Sequence, residues 1–441
     1  MSCPMTRSAI LRIALPAIVS NITVPLLGLA DTAIVGHLGS PVYMGAIAVG
    51  SMIFSIFYWV FGFLRAGTSG FTAQAFGAGE QGEVTAVLLR SCCFALLISF
   101  LLLLFQYPIS RLALQLIDAS SAVKAEALAY FRICIWGAPA VILLYGFNGW
   151  LIGLQNTRAT MIIALVQNVS NVLLSLLFVF VFHWQVKGVA LGTLAAQYVG
   201  LLLAVVVWRT RYPHYLRPAP GIPVLHRRAI MRFLHVNKHI FLRTLCILSV
   251  TSFFTIAGAR RGDLVLASNA VLLQFFYFFS YFMDGFSNAG EALAGQYAGA
   301  GRLSAFRIMV VRLFRWGISL SALFTLVYGL GGPVFLSLFT DSAPVLQQAG
   351  ADVFWIAVIP LAGFAAFLWD GIYIGVTSTG LLFLSMLLAT CGFFAAYYCF
   401  EPLWGNHGLW LSFCLFLLLR GCFQTCFYAR LKRLDCFRSA E

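Results

Sequence analysis

Apolar runs long enough to cross a bilayer recur along this chain, and they leave few folds open. They fall at roughly 8–36, 43–64, 86–105, 127–152, 159–182, 188–208, 239–258, 264–283, 308–331, 351–376, 378–400 and 407–429. As helix, about 20 such residues span a hydrocarbon core. A membrane barrel would instead alternate apolar and polar residues over strands of about ten, whereas "ALLISFLLLLF" and "NVLLSLLFVFVF" are apolar without a break. The fold class expected is therefore all-α and integral to the membrane, with about twelve transmembrane helices, because only helices and closed barrels satisfy their backbones in lipid. Charged residues make up only 10% of the chain, against about 25% in a soluble domain.

The first run follows Arg7 and Arg12, as in a signal peptide, but it continues too far and no small-residue cleavage pattern follows it. Pro16 within it removes one backbone hydrogen bond and marks a hinge. The net charge of +14 is distributed unevenly. With a cytoplasmic amino terminus, the inward connections collect Arg158, Arg209, Arg211, Arg217, Arg227, Arg228, Arg232, Arg302, Arg307, Arg312 and Arg315, and the tail adds Arg430, Lys432, Arg433 and Arg438. The opposite side holds chiefly Arg111, Lys124, Lys187, Arg260 and Arg261. That bias predicts a multi-pass protein of the plasma (inner) membrane with both termini cytoplasmic. No basic region is interleaved with aromatics, which argues against nucleic acid as a partner.

The sequence repeats weakly about a proline- and arginine-rich stretch at 209–228. "TAQAFGAG" ending at Gly79 matches "AGQYAGAG" ending at Gly301, an offset of 222 residues. "FNGWLIGLQNT" matches "LWDGIYIGVTST" at the same offset, pairing Gly149 with Gly371 and Gly153 with Gly375. "WQVKGVAL" matches "WGNHGLWL" at an offset of 220, pairing Trp184 with Trp404. The organisation expected is an N-terminal six-helix lobe (1–208), a basic cytoplasmic linker (209–238), a C-terminal six-helix lobe (239–430) and a basic tail (431–441). An even number of spans per half gives both halves the same orientation, related by an axis along the membrane normal, as in transporters that rock one half against the other.

Chemistry in such a chain rests on its intramembrane polar groups, because a carboxylate at the centre of a span costs roughly 2.5–3.5 kcal/mol on insertion scales. Asp31 lies deep in the first run with no basic residue within a turn. Asp284, Glu291 and Asp370 are the acids of the second half. Glu291 approaches the polar end of its span and is expected to face loop water, while the repeat sets Asp370 opposite the uncharged Asn148. The first half adds neutral groups, Tyr130, Asn148, Asn168, Asn171, Ser175, Thr193 and Gln197, of which Asn168, Asn171 and Ser175 share a helix face. Arg65 is an intramembrane base expected to serve packing. The eleven cysteines lie mostly in apolar runs and read as free thiols; no metal site is expected, nor any cofactor beyond a coupling ion. No Walker loop, Gly-x-Ser-x-Gly elbow or HExxH pair occurs, so neither ATP-driven transport nor hydrolytic catalysis is expected.

"ALPAIVSNITVPLLGLADTAIVGHLGSPVYMGAIAVG", "FLRAGTSGFTAQAFGAG", "YFMDGFSNAGEALAGQYAGAG" and "WDGIYIGVTST" resemble the multidrug and toxic compound extrusion (MATE) family in its DNA-damage-inducible (DinF) branch, from about residue 8 to 430. The resemblance implies two six-helix bundles and export of organic, often cationic or amphipathic, compounds in exchange for protons or sodium ions. It also implies that Asp31 is the protonation site of the N-terminal lobe, that Tyr130, Asn148, Asn171 and Thr193 are its neighbours, and that Pro16 bears the kink. Small organic molecules and membrane lipid are the partners expected, and the chain is expected to act as a monomer. The family usually carries a second aspartate four residues after Asn171, where this chain has Ser175. A lone carboxylate can carry one proton but makes a poor sodium cage, which favours protons in this lobe. A second departure, "TSTGLLFLSM", lacks the charged residues usual in the branch. The alternatives are a lipid-intermediate or polysaccharide flippase of the same superfamily, which should show a strongly cationic interior, and a membrane-embedded enzyme, against which the scattered histidines argue.

Overall fold

The computed structural model describes residues 7–37, 40–216 and 224–431. Every regular element among them is a helix: α1 (Arg7–Gly36), α2 (Pro41–Phe61), α3 (Phe63–Ala78), α4 (Gln81–Leu104), α5 (Gln106–Gln115), α6 (Ser121–Cys134), α7 (Ala138–Gly153), α8 (Thr157–Leu176), α9 (Gln185–Arg211), α10 (Arg227–Ala259), α11 (Asp263–Gly299), α12 (Leu303–Phe339), α13 (Ala343–Gly375), α14 (Thr379–Trp404) and α15 (Asn406–Leu431). Eleven helical segments among the described residues are long and apolar enough to cross a membrane, and α1 adds a shorter apolar stretch, Ser8–Thr23. Phe100, Leu202 and Leu330 are among many large apolar side chains left exposed, as a lipid-facing surface requires.

The weak sequence repeat is a strong structural one. A Cβ at Gly149 would run into the backbone oxygen of Arg65, and one at Gly371 into that of Ser287. Gly153 stands in the same way against the Ser69 oxygen, and Gly375 against that of Glu291. Both members of each contact are displaced by 222 residues, so one glycine-to-backbone crossing, α3 against α7 and α11 against α13, is built twice. Small residues let membrane helices approach this closely, where dispersion replaces the missing hydrophobic drive. The following turns also match: Gln155 (φ 61°) and Thr377 (φ 53°) both adopt the left-handed region, which a β-branched residue rarely enters. Asn156 N–H donates to Leu151 O and Ser378 N–H to Tyr373 O, each at 2.9 Å.

The chain falls into two units. One is Val19–Met231; the other joins the first part of α1, up to Ile18, to the chain from Arg232 onward. The first helix is therefore not wholly N-terminal in its packing, as a boundary at 208 would have it. Ala14 and Ile18 crowd Gly285 of α11 so closely that a Cβ there would clash, and Ile10, Ile13, Ala14 and Ala17 are buried. Pro16 is also buried, and α1 runs unbroken through it.

The connection between the halves is shorter than expected, because α9 runs to Arg211 and α10 starts at Arg227. Its ends are fastened to the N-terminal unit. Tyr212 and Tyr215 pack edge-on to Trp150 at 5.1 and 5.8 Å, Asn156 Nδ2 donates to the Tyr212 hydroxyl at 2.7 Å, and Arg90, paired with Glu83, donates from Nε to Val224 O at 2.6 Å. Residues 217–223, and the expected tail beyond Leu431, lie outside the described residues.

The two units differ in how continuous their helices are. In the N-terminal unit the second span is interrupted between α2 and α3 at Gly62, α4 passes to α5 at Phe105, a 3₁₀ turn at Ile135–Gly137 divides α6 from α7, and α8 ends in a π-turn at Leu177–Val181. Their counterparts α11, α12, α13 and α14 are each continuous, even though α13 carries Pro360 internally. Local 3₁₀ and π segments of this kind recur at functional sites.

Candidate functional site

The unit with the irregular segments also holds the sequence-predicted polar groups. Asp31, five residues before the end of α1, is half-buried. Its carboxylate interacts electrostatically with Tyr130 and Cys134 of α6. Tyr130 is 4% exposed and packs so tightly on Gly50 that a Cβ there would collide with its ring. Its hydroxyl lies 3.5 Å from Ser51 Oγ. Cys134 Sγ faces Ala190 O of α9 at 3.7 Å, three residues from Thr193, whose hydroxyl accepts from Asn171 Nδ2 of α8 at 3.1 Å. Ser175, fully buried, meets Gly192 where α8 and α9 cross, and a Cβ at Gly192 would lie 2.5 Å from its hydroxyl. Asn168 donates instead to Thr23 of α1 at 2.9 Å.

These groups are short of donors. Asp31 Oδ1, Asn148 Oδ1, Asn171 Oδ1, Gln197 Oε1 and Ser175 Oγ are buried atoms without a hydrogen-bond partner among the described residues. Native structures leave few buried polar atoms unsatisfied, and a cluster of them asks for a proton, a water or a ligand. Of the sequence-predicted residues, Asp31 interacts with Tyr130 of α6, and Asn171 bonds Thr193 beside the Ser175–Gly192 crossing of α8 and α9. Asn148 is placed on α7, beside the Gly149–Arg65 crossing, and no described contact ties it to Asp31. Three residues not anticipated from sequence extend the network. Cys134 lies next to Asp31 and Tyr130, while Tyr58 interacts with Cys134 and Tyr145. The Tyr145 hydroxyl donates to Tyr58 O at 3.0 Å and interacts with Arg65. Arg65 thus interacts with Tyr145 at one end of this set.

In the C-terminal unit the acids behave differently. Asp370 is 4% exposed and saturated: Arg243 of α10 and Arg420 of α15 both donate to Oδ2, the latter at 2.6 Å, and Gln424 donates to Oδ1 at 2.7 Å. Arg420, itself 4% exposed, also lies over the rings of Phe367 and Phe416 at 5.8 and 5.5 Å. Neither arginine was anticipated, although an intramembrane base is as strong a signal as an intramembrane acid. Asp284 is half-buried and interacts with Arg420. Glu291 corrects an expectation: it is 1% exposed and does not face loop water, because Gly375 of α13 closes on its backbone. Among the described residues no group of three or more His, Cys, Asp or Glu could hold a metal ion, and Cys422 and Cys426 are free and exposed.

Comparison with known proteins gives a family. The MatE family model matches residues 16–177 and 240–398. The chain is 37% identical to DNA damage-inducible protein F of Escherichia coli over 415 residues, covering 94% of this chain and 90% of that one. It is 25% identical to the probable multidrug resistance protein NorM of Thermotoga maritima, with 81% and 76% covered. Among solved structures, an outward-facing multidrug resistance MATE family transporter superposes with a TM-score of 0.86 at 18% identity over 97% of this chain and 96% of that one. A mutant of the Vibrio cholerae MATE transporter VcmN gives 0.86 at 18% identity over 98% of both chains.

Proposed function

The chain belongs to the MatE family of multidrug and toxic compound extrusion transporters, in its DNA-damage-inducible branch, and on that premise we propose that it exports organic, often cationic or amphipathic, compounds by exchanging them for protons at Asp31. The carrying observation is the donor deficit around this carboxylate: Asp31 Oδ1 is buried with no partner among the described residues, in a lobe where three side-chain amide oxygens and the Ser175 hydroxyl also lack partners. An ionised carboxylate only accepts, whereas a protonated one donates. One proton on Asp31 therefore removes an intramembrane charge and supplies a donor at the same time. Ser175 adds no second carboxylate, and the other acids of this unit, Glu80, Glu83, Asp118 and Glu126, lie in the first two turns of helices or in connections. A hard cation such as sodium wants several oxygens, charged ones included.

Asp31 and the buried stretch before Ile18 share one helix but pack in different units. Protonation from outside would change the hydrogen bonding of this end of α1, let the helix bend at Pro16 and expel substrate; deprotonation inside resets it. Substrate and proton favour opposite states of one element, so their coupling is reciprocal. The protein would act as a monomer in the inner membrane with both termini cytoplasmic, as the Lys/Arg bias implies.

The test is a vesicle assay with one fluorescent organic cation and separately imposed proton and sodium gradients. Efflux driven by the proton gradient and abolished in Asp31→Asn is expected. Unchanged pH-driven efflux in that variant, or efflux driven by sodium alone, would sink the reading. The flippase alternative needs uncompensated cations within the spans, and Arg243 and Arg420 are both bound to Asp370, with Asp284 a second acid acting on Arg420.

A further inference from the structure

A second set of buried polar groups lies in the C-terminal unit, where α11, α13 and α15 begin. Asn269 of α11 and Asn406 of α15 exchange two amide hydrogen bonds at 2.9 and 3.0 Å. Trp410 Nε1 donates to Asn269 Oδ1 at 2.9 Å. Asn406 gives its second amide hydrogen to Asp352 Oδ2 of α13 at 2.7 Å. Asp352 is 1% exposed, and the antiport cycle above does not use it.

Its other oxygen meets His407, whose Nδ1 lies 3.1 Å from Asp352 Oδ1. Trp355 Nε1 lies 3.0 Å from that same ring nitrogen. The two neighbours make opposite demands. An indole N–H only donates, so Trp355 needs a bare Nδ1; an ionised carboxylate only accepts, so Asp352 needs Nδ1–H. With Nδ1 bare, the Trp355 bond forms and the buried Asp352 Oδ1 has no donor among the described residues. A buried acceptor left unmet costs roughly 1–3 kcal/mol, more for a charged group.

We propose that Asp352 and His407 form a proton-binding site in the C-terminal unit, separate from Asp31, that locks the start of α13 to the start of α15 when occupied. The step balances simply. One proton from water adds to the His407 ring, which then donates Nδ1–H to Asp352 Oδ1; the bond to Trp355 breaks, and that half-buried indole N–H turns to solvent. The side chain of His407 is 52% exposed, so the proton has access. The other charged groups at this end include Arg261, whose guanidinium lies over Gly405, Glu401 of α14, with which it pairs, and Arg260 and Asp263, which flank Arg261 at the start of α11. The partners from α11 and α15 apart from His407 are neutral. The ionic bond exists only with the ring protonated, so the lock strengthens as pH falls and loosens as it rises. Its placement on the proton-supplying side rests on the orientation proposed above, while the site itself does not.

By the repeat, Asp352 is the counterpart of Tyr130, at the offset of 222 that relates the two halves. Each lobe thus sets a titratable side chain at this level, and the C-terminal one is served by histidine.

The experiment uses the purified full-length protein in lipid nanodiscs. Trp355 emission, taken as wild type minus Trp355→Phe, and the histidine ring signals, assigned with His407→Gln, are followed across the range in which histidine ordinarily titrates, about pH 5 to 8. The Trp355 emission should fall as the pH drops, since an imidazolium against an indole quenches it. That fall should vanish in His407→Gln, and Asp352→Asn, which keeps an oxygen for Asn406, should displace the ring titration. A fall that survives in His407→Gln, or a ring titration unchanged by Asp352→Asn, overturns the site. Repeating the titration in Asp31→Asn separates the two readings: pH-driven efflux that persists there sinks only the antiport reading, and a missing His407–Asp352 coupling sinks only this one.

Discussion

The two halves share one backbone scheme and fill it with opposite chemistry. By the repeat, Asp31, Asn171, Ser175 and Thr193 correspond to Phe253, Phe393, Tyr397 and Phe413. At these positions the first half carries polar groups and the second stacks rings: Phe253 meets Phe393 at 6.0 Å and Tyr397 at 4.9 Å, and Phe413 meets Phe254 at 5.2 Å. Asp370, one of the second half's buried acids, is saturated by two arginines and a glutamine. The helices differ as well, interrupted in the first half and continuous at the corresponding places in the second. The two halves thus use one scheme with different groups at matching positions, and each keeps a titratable group of its own, Asp31 in the first and the Asp352–His407 pair in the second.

That contrast can be broken by substitution. Asp370→Ala should give the largest loss, about 3–5 kcal/mol, because it strands two buried guanidinium groups; thermal unfolding in detergent would show it, and a small shift would remove the idea that this acid is structural. Phe393→Ala should also cost about 3–5 kcal/mol through the cavity it leaves. The glycine crossings should respond alike: Gly149→Ala and Gly371→Ala each push a methyl into a fixed carbonyl, at about 1–3 kcal/mol, and a marked difference between them would undo the structural repeat. Asn171→Ala, the counterpart of the Phe393 change, should cost only about 0.6 kcal/mol, the average of interhelical hydrogen bonds in membranes, while altering the pH dependence of efflux.

The spans and the repeat were legible because lipid forces long apolar helices and because close crossings fix glycines at matching positions. Asp31 was legible for a related reason, since a carboxylate in an apolar run has no bland neighbour to explain it. Arg243 and Arg420 carried the same signal, but they lie 127 and 50 residues from Asp370, and no local spacing pairs them. Tyr58 and Cys134 look like packing residues in sequence, and only tertiary placement brings Cys134 within the influence of Asp31 and Tyr58 within that of Cys134. Of the four helix interruptions, those at Gly62 and before Pro139 have a residue to account for them. The π-turn at Leu177–Val181 lies where Gly188 of α9 presses on Phe178, a contact made by another helix.

The first part of α1 packs against Gly285, and this has a consequence for biosynthesis. At about 5–20 residues per second of synthesis, the roughly 270 residues between Ile18 and Gly285 take about 15–50 s to emerge. Through that interval the buried face of Ile10, Ile13, Ala14 and Ala17 has no α11 to lie against and must be sheltered by lipid or by the insertion machinery. Maturation of the eighth span is thus the event that completes the first, and a chain truncated before α11 should leave its opening helix unanchored even with the whole N-terminal half inserted.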